Sequence, residues 1–334
     1  MISDDWSKGV THQECWEQTA AYAELAVGEA KQDIAKLANL IDRLDNFPPS
    51  AYQQILAHLR SDAVISMSEA ERLRVWNELT RLISKHRKFA DTDWAMKSEV
   101  VDEIEAITEG LAPQSPIYLH ERLFTEHDFE LYEEKDSWEE QRKKLDDQRK
   151  EAIKEIYLSG GMQAVFKFAQ SVRSAWQAGI AFGAIIEFDS DADILPLMLE
   201  SEAKSLAQFA AGFVGGRFCI QGWPWIDGMN MSNWTPSEKA QLFAHLPFNE
   251  KTWGRLAKNF GKNEAPYWAK TYVNPYQAEK NLELAIDRLV EHGRPHEAIR
   301  CLERLRYDKG PLNSQQIVRV LQMLHSSETA QRCV

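Results

Sequence analysis

Apolar residues recur every three or four positions along most of this chain, which is the spacing that predicts amphipathic α-helices. The stretch "AKQDIAKLANLIDRL" is one example, and its apolar positions are Ile34, Leu37, Leu40, Ile41 and Leu44. A second apolar face runs from Leu73 to Ile83. No stretch has the alternating β-branched pattern of a strand. The sequence therefore predicts an all-α fold.

Capping and breaking residues mark where several of these helices begin and end. Ser66 and Glu69 have the spacing of a capping box, which predicts the start of a helix that continues to about Phe89. Gly160 and Gly161 predict a break between a long charged helix and a more apolar one.

Prolines and a Gly-x-Pro turn predict the domain organisation. Pro113 and Pro116 follow a helical pattern, so we expect an N-terminal helical domain over residues 1–112 and a second region over 113–334. In that region the turn at 293–295 separates two helices and predicts an αα-hairpin. Stacked hairpins form α-solenoids, although no motif recurs here at a fixed period. We therefore predict an α-solenoid-like array of antiparallel helix pairs.

Residues 215–234, "GGRFCIQGWPWIDGMNMSNW", interrupt the helical pattern with four glycines and three tryptophans. In one interpretation they form a pocket in which Trp223 and Trp225 stack on a ligand while Arg217 binds an anion or Asp227 a cation. In the other they form an irregular, non-helical connection with its tryptophans buried between helix pairs. If the segment does contain a recognition site, its rim is predicted to include Arg217, Trp223, Trp225, Asp227 and Trp234.

The sequence just before this segment is different in character. Residues 203–214, "AKSLAQFAAGFV", are small and apolar at adjacent positions. Such residues let neighbouring helices approach closely, so we expect tight helix packing here.

Charge is unevenly distributed over the 334 residues, whose net charge is −12. Residues 1–249 carry 25 basic and 41 acidic side chains, whereas residues 250–310 carry 12 and 9. Nucleic-acid binding needs a basic face, and only a modest one is available, so the balance argues against a nucleic-acid partner. Arg294, Arg300, Arg304 and Arg306 are predicted to form either a secondary basic face or a solvated helix surface, and the second interpretation is favoured.

No catalytic signature, cofactor motif or metal-binding pattern occurs in the sequence. Residues 189–200 resemble an EF-hand loop at positions 1, 3, 5 and 12, but Ile194 stands where the loop needs glycine and Pro196 follows it. An acidic N-cap for a following helix is the favoured interpretation. We expect no bound metal and no cofactor.

Cysteine usage and hydropathy bear on the compartment. The four cysteines, Cys15, Cys219, Cys301 and Cys333, are scattered without a paired motif, which is typical of free thiols in a reducing cytoplasm. The longest apolar run, residues 176–188, is shorter than the roughly 20 residues that cross a bilayer. The sequence also begins without the pattern of a signal peptide. We expect a soluble, cytoplasmic protein.

Several short motifs between about residues 115 and 310 resemble a helical-repeat region of large multidomain bacterial proteins, most of them hypothetical proteins and some of defence type. The motifs are "RLF" at 122–124, "SW" at 137–138, "GG" at 160–161, "GWPW" at 222–225, "LPF" at 246–248, "TW" at 252–253, "YW" at 267–268, "NPY" at 274–276 and "GRPHEAI" at 293–299. The resemblance implies a fold and a context, and it assigns no catalytic residue. The chain departs from the pattern because it has no N-terminal effector motif.

Together these observations predict a non-catalytic helical-repeat scaffold or sensor that binds a protein or peptide partner, as a possible module of a larger bacterial regulatory or defence protein. The alternative is a small-molecule-binding domain or an enzyme with its site in residues 215–234.

Overall fold

The all-α prediction is confirmed by a computed structural model of the chain. The structure describes residues 10–125, 137–185 and 191–332, and no strand occurs within those ranges. Helices account for most of the residues in those ranges. The chain divides into two compact units, residues 1–168 and 169–334. The boundary predicted after residue 112 falls inside the first unit and stays a prediction.

In its described residues the first unit contains eight α-helices, and the last of them continues three residues beyond the unit. They are α1 (Val10–Ala30), α2 (Ile34–Ile41), α3 (Pro49–Leu59), α4 (Asp62–Ile65), α5 (Glu69–Lys88), α6 (Ser98–Leu111), α7 (Pro116–Leu119) and α8 (Trp138–Ser171). Short 3-10 helices cover Leu44–Asn46 and Glu121–Leu123. The predicted apolar faces are buried, with Leu37 and Ile41 of α2 in one core with Leu79 and Leu82 of α5.

The predicted capping box at Ser66 and Glu69 is wrong by two residues. The box is formed by Ser68 and Glu71, where the backbone N–H of Ser68 donates to the Glu71 carboxylate at 2.9 Å. The same Ser-x-x-Glu spacing occurs twice in this stretch, and Ser66 instead follows α4, where its hydroxyl donates to the carbonyl of Asp62. The break predicted at Gly160 and Gly161 is confirmed as a kink within α8.

Nine further α-helices lie in the part of the second unit that the structure describes. They are α9 (Ala175–Ile185), α10 (Asp191–Leu199), α11 (Lys204–Gly228), α12 (Pro236–Ala244), α13 (Glu250–Phe260), α14 (Ala265–Lys270), α15 (Leu282–Glu291), α16 (Pro295–Tyr307) and α17 (Ser314–Arg332). A 3-10 helix covers Pro275–Gln277.

Helices α9 and α11 cross with almost no space between their backbones, which confirms the predicted close approach. Gly212 and Gly216 of α11 face α9, and a Cβ atom on either one would collide with the backbone carbonyl oxygen of Trp176 or Ile180. Only glycine fits at these two positions.

The prediction that residues 215–234 form a non-helical connection is wrong for residues 215–228. Helix α11 continues to Gly228, with a local break at Gly222, where φ is 59°. That φ is in the left-handed region that favours glycine. Pro224 follows the break within the first turn of the resumed helix, a position where proline is tolerated. Gly212 and Gly216 before the break admit the backbone of α9, and neither they nor Gly215 interrupt the helix.

The C-terminal helices follow one another through two turns of the same kind. After α15, the N–H of Arg294 donates to the carbonyl of Leu289 at 2.8 Å. After α16, the N–H of Gly310 donates to the carbonyl of Leu305 at 2.9 Å. Each of these hydrogen bonds is the six-residue closure of a Schellman motif, which ends a helix. The turn predicted at 293–295 therefore separates two helices, α15 and α16, and their arrangement as an αα-hairpin stays a prediction.

Candidate functional site

Two of the predicted site residues, Arg217 and Trp225, bind Asp191 in a largely buried cluster that joins α10 to α11. Both oxygens of Asp191 accept hydrogen bonds from Arg217, with Nε at 3.0 Å and Nη2 at 3.2 Å. The side chains of Asp191 and Arg217 are 9% and 3% exposed. Trp225 donates a third bond to Asp191 from its indole nitrogen at 2.9 Å. Since Asp191 accepts all three bonds, its charge is balanced within the chain.

Trp234 is held in a similar way beside this cluster. Its indole nitrogen donates to the backbone carbonyl of Ala192 at 2.9 Å, and its side chain is buried. Arg217 also lies over the ring of Phe213, with 5.1 Å between guanidinium carbon and ring centroid. Arg217, Trp225 and Trp234 thus make internal contacts. The acidic N-cap proposed near Asp189 lies outside the described residues.

The other two predicted residues of the segment lie on the surface in a second cluster. The guanidinium of Arg255, on α13, lies 4.1 Å from the ring centroid of Trp223. The same guanidinium forms two hydrogen bonds to Asp227, at 2.8 and 2.7 Å. The hydrogen bonds from Arg255 lower the pKa of Asp227, and Asp227 raises the pKa of Arg255 in return. This cluster is a self-contained stack of ring, cation and carboxylate.

A third cluster lies between α16 and the 3-10 helix Pro275–Gln277, and we call it the tyrosine–arginine surface: Tyr276, Arg304 and Tyr307. Tyr276 is 72% and Tyr307 77% exposed. Arg304 lies beside both rings, with its guanidinium carbon 4.8 Å from the centroid of Tyr276 and 5.7 Å from that of Tyr307. One guanidinium nitrogen of Arg304 pairs with Asp308 at 2.8 Å. The two rings and the cation therefore form one preformed, largely exposed patch.

The four arginines of the predicted basic face lie in different environments. Arg294 turns inward, where it donates to the carbonyls of Trp268 and Thr271 at 3.1 and 2.7 Å. Arg300 and Arg306 are exposed, and within the described ranges neither makes a hydrogen bond or an ion pair. Arg304 alone of the four contacts the exposed tyrosines.

Sequence reasoning did not identify Arg255, Tyr276 or Tyr307 as site residues. Arg255 is separated from Asp227 by 28 positions, and no local pattern links the two. Tyr276 lies in the short 3-10 helix between α14 and α15, and Tyr307 is the last residue of α16. An available signal was the Arg-x-x-Tyr spacing of residues 304 and 307, which puts two hot-spot residue types on one helical face.

The described residues hold no group of three or more His, Cys, Asp or Glu side chains that could bind a metal ion. Where the structure describes the chain, no helix has both the length and the apolar character that crossing a membrane requires.

Comparison with known proteins gives no assignment: no family model matches the chain, and neither a curated protein nor a solved structure matches it significantly.

Proposed function

We propose that this chain is a non-catalytic α-helical module that binds a protein or peptide partner through the tyrosine–arginine surface. One observation carries the proposal: Tyr276 and Tyr307 are each more than 70% exposed, and both contact the same arginine. Tyrosine and arginine are enriched among the residues that contribute most of the binding energy at protein interfaces. A tyrosine ring also supplies a large contact area at a low cost in conformational entropy.

Stacked hairpins are the architecture that we propose for the second unit. The turn after α15 and the turn after α16 have the same hydrogen-bond pattern, so three consecutive helices are connected in the same way. An array in which each helix is added through the same type of turn leaves its outer helix faces free for a partner. A cytoplasmic location, and a role as a scaffold or sensor within a larger bacterial regulatory or defence protein, belong to the same proposal.

The internal contacts of residues 215–234 favour this function over a small-molecule pocket. A pocket needs polar groups that point at the ligand. The polar groups of Arg217, Trp225 and Trp234 are bonded to Asp191 and Ala192, and Asp227 is bonded to Arg255. Binding a small molecule there would first require breaking those bonds.

The proposal is tested by quantitative co-purification. The full chain, a Tyr276→Ala/Tyr307→Ala variant and a Tyr22→Ala variant are used to retain proteins from a lysate, and each retained protein is quantified by mass spectrometry. Tyr22 is a matched control because it is a tyrosine 73% exposed in the first unit. We expect at least one protein to be retained by the parent and by Tyr22→Ala and lost with the double variant. Equal retention by all three chains would contradict the proposal.

A further inference from the structure

We infer that the partner segment recognised by the tyrosine–arginine surface is an acidic peptide, with a carboxylate bound to Arg304 between Tyr276 and Tyr307. This inference rests on the proposed function and adds the chemistry of the ligand to it. It depends on the hydrogen-bonding state of Arg304 and on the distribution of charge around it.

Arg304 has more donors than the chain provides acceptors for. A guanidinium has five N–H groups, and within the described residues the only polar contact of Arg304 is with Asp308. Its Nε is buried and has no hydrogen-bond partner. The side chain is only 21% exposed, because the neighbouring rings cover much of it. The enclosed Nε is out of reach of a ligand, but the Nη donors are not among the buried atoms, and a carboxylate can supply acceptors to them.

The charges near Arg304 favour the same ligand. Arg300 lies one turn earlier on the same face of α16, and it is exposed without an ion-pair partner in the described ranges. Arg306 and Lys309 are also exposed, and the structure gives neither a salt bridge. Residues 300–309 thus contain four basic side chains and only two acidic ones, Glu303 and Asp308. The local charge is therefore positive.

The distribution of charge over the whole sequence also favours an acidic ligand at this surface. Residues 250–310 carry 12 basic and 9 acidic side chains, whereas the whole chain has a net charge of −12. An acidic peptide is therefore repelled by most of the sequence and attracted by this part, which increases both selectivity and association rate.

A short acidic peptide suits this surface better than a nucleic acid does. A nucleic acid carries one charge per nucleotide and needs an extended track of cations. The positive charge here is confined to one helix end, and residues 1–249 carry 25 basic against 41 acidic side chains. A peptide can place one or two carboxylates on the arginines and still cover the tyrosine rings.

The test measures fluorescence anisotropy of three labelled probes with the full chain: octaglutamate, octalysine and an eight-nucleotide oligothymidylate. We expect octaglutamate to bind saturably and octalysine not to bind. The Arg304→Gln variant should weaken octaglutamate binding at least fivefold, and Arg300→Gln about twofold. Arg43→Gln should bind like the parent, because Arg43 is an arginine 74% exposed in the first unit.

The thermal midpoint of each variant shows whether it is folded, and Arg300→Gln provides a second readout at an exposed position. No octaglutamate binding, or equal binding by the parent, Arg304→Gln and Arg300→Gln, would overturn the inference. Tighter binding of oligothymidylate would overturn it and assign the surface to single-stranded nucleic acid. If octaglutamate fails while a co-purified protein still requires Tyr276 and Tyr307, the acidic ligand is wrong and the proposed function stands.

Discussion

Asp191 and Arg217 form a buried ion pair in which the carboxylate receives two hydrogen bonds from the guanidinium, at 3.0 and 3.2 Å. The pair holds the first residue of α10 against α11, and Trp225 donates a further bond to the same carboxylate. Two charges in a dry environment are costly unless each is compensated by the other. The pair therefore fixes the position of α10 on α11.

Removing one partner should be strongly destabilising. Arg217→Met leaves the Asp191 carboxylate buried without its countercharge, and breaking a buried pair in this way costs about 3–5 kcal/mol. Hydrogen–deuterium exchange of peptides from α10 and α11 measures the local free energy of opening. Arg319→Met is the control, because the pair of Arg319 with Asp287 is 49% and 39% exposed, and such pairs contribute about 1 kcal/mol or less. Equal exchange in the two variants would show that the buried pair is not formed.

The close contact between α9 and α11 predicts opposite effects at adjacent glycines. Gly216→Ala introduces a Cβ that collides with the carbonyl of Ile180, and we expect a loss of about 1–3 kcal/mol or more. Gly215→Ala meets no atom within 4 Å, and alanine is favoured over glycine in a helix by about 0.5–1 kcal/mol. The free energy of unfolding, from urea titration, should therefore fall for the first variant and rise for the second. The same sign for both would contradict the packing of these helices.

His86 predicts a local dependence on pH in the first unit. The backbone N–H of Met96 donates to Nδ1 of His86 at 3.0 Å, so that nitrogen is unprotonated. Burial lowers the pKa of His86 below its usual value of 6.5, while nearby Asp45 raises it and Lys85 lowers it. The folded state binds the proton of His86 less readily than the unfolded state does. The contribution of neutral His86 to the free energy of unfolding is therefore complete above pH 6.5. It is lost as the pH falls through the lower pKa that His86 has in the folded state.

The exchange of the Met96 amide measures this effect directly. Protonation of Nδ1 removes the acceptor, so the protection of that amide, corrected for the intrinsic exchange rate, should decrease below pH 6.5. His86→Asn is the control, because an asparagine oxygen can accept the same bond and does not titrate. Protection that is constant with pH in the parent, or that falls equally in both proteins, would contradict the assignment.

Local rules in the sequence were sufficient for the helices and for several of their ends. The apolar spacing of Leu37 and Ile41 predicted a buried face, and Gly160 with Gly161 predicted the break within α8. The same rules failed for α11, because Gly216 was interpreted as a helix breaker when its role is to admit the backbone of α9. Local propensity does not contain that tertiary contact.

The candidate sites depend on contacts between residues that are far apart in the sequence. Asp191 with Arg217, Trp223 with Arg255 and Tyr276 with Arg304 are separated by at least 26 positions. The sequence identified members of each pair as candidates without indicating the other member. Only the packing of the helices brings them together.

The most direct test of the proposed function is the dissociation constant between this chain and the protein that co-purifies with it. It should be measured by calorimetry for the parent, the Tyr276→Ala/Tyr307→Ala variant and the Tyr22→Ala control. We predict that the double variant binds at least tenfold more weakly, with an unchanged thermal midpoint, because two exposed rings are lost from the contact area. Tyr22→Ala should bind like the parent. A dissociation constant that is the same for all three proteins would contradict binding through the tyrosine–arginine surface.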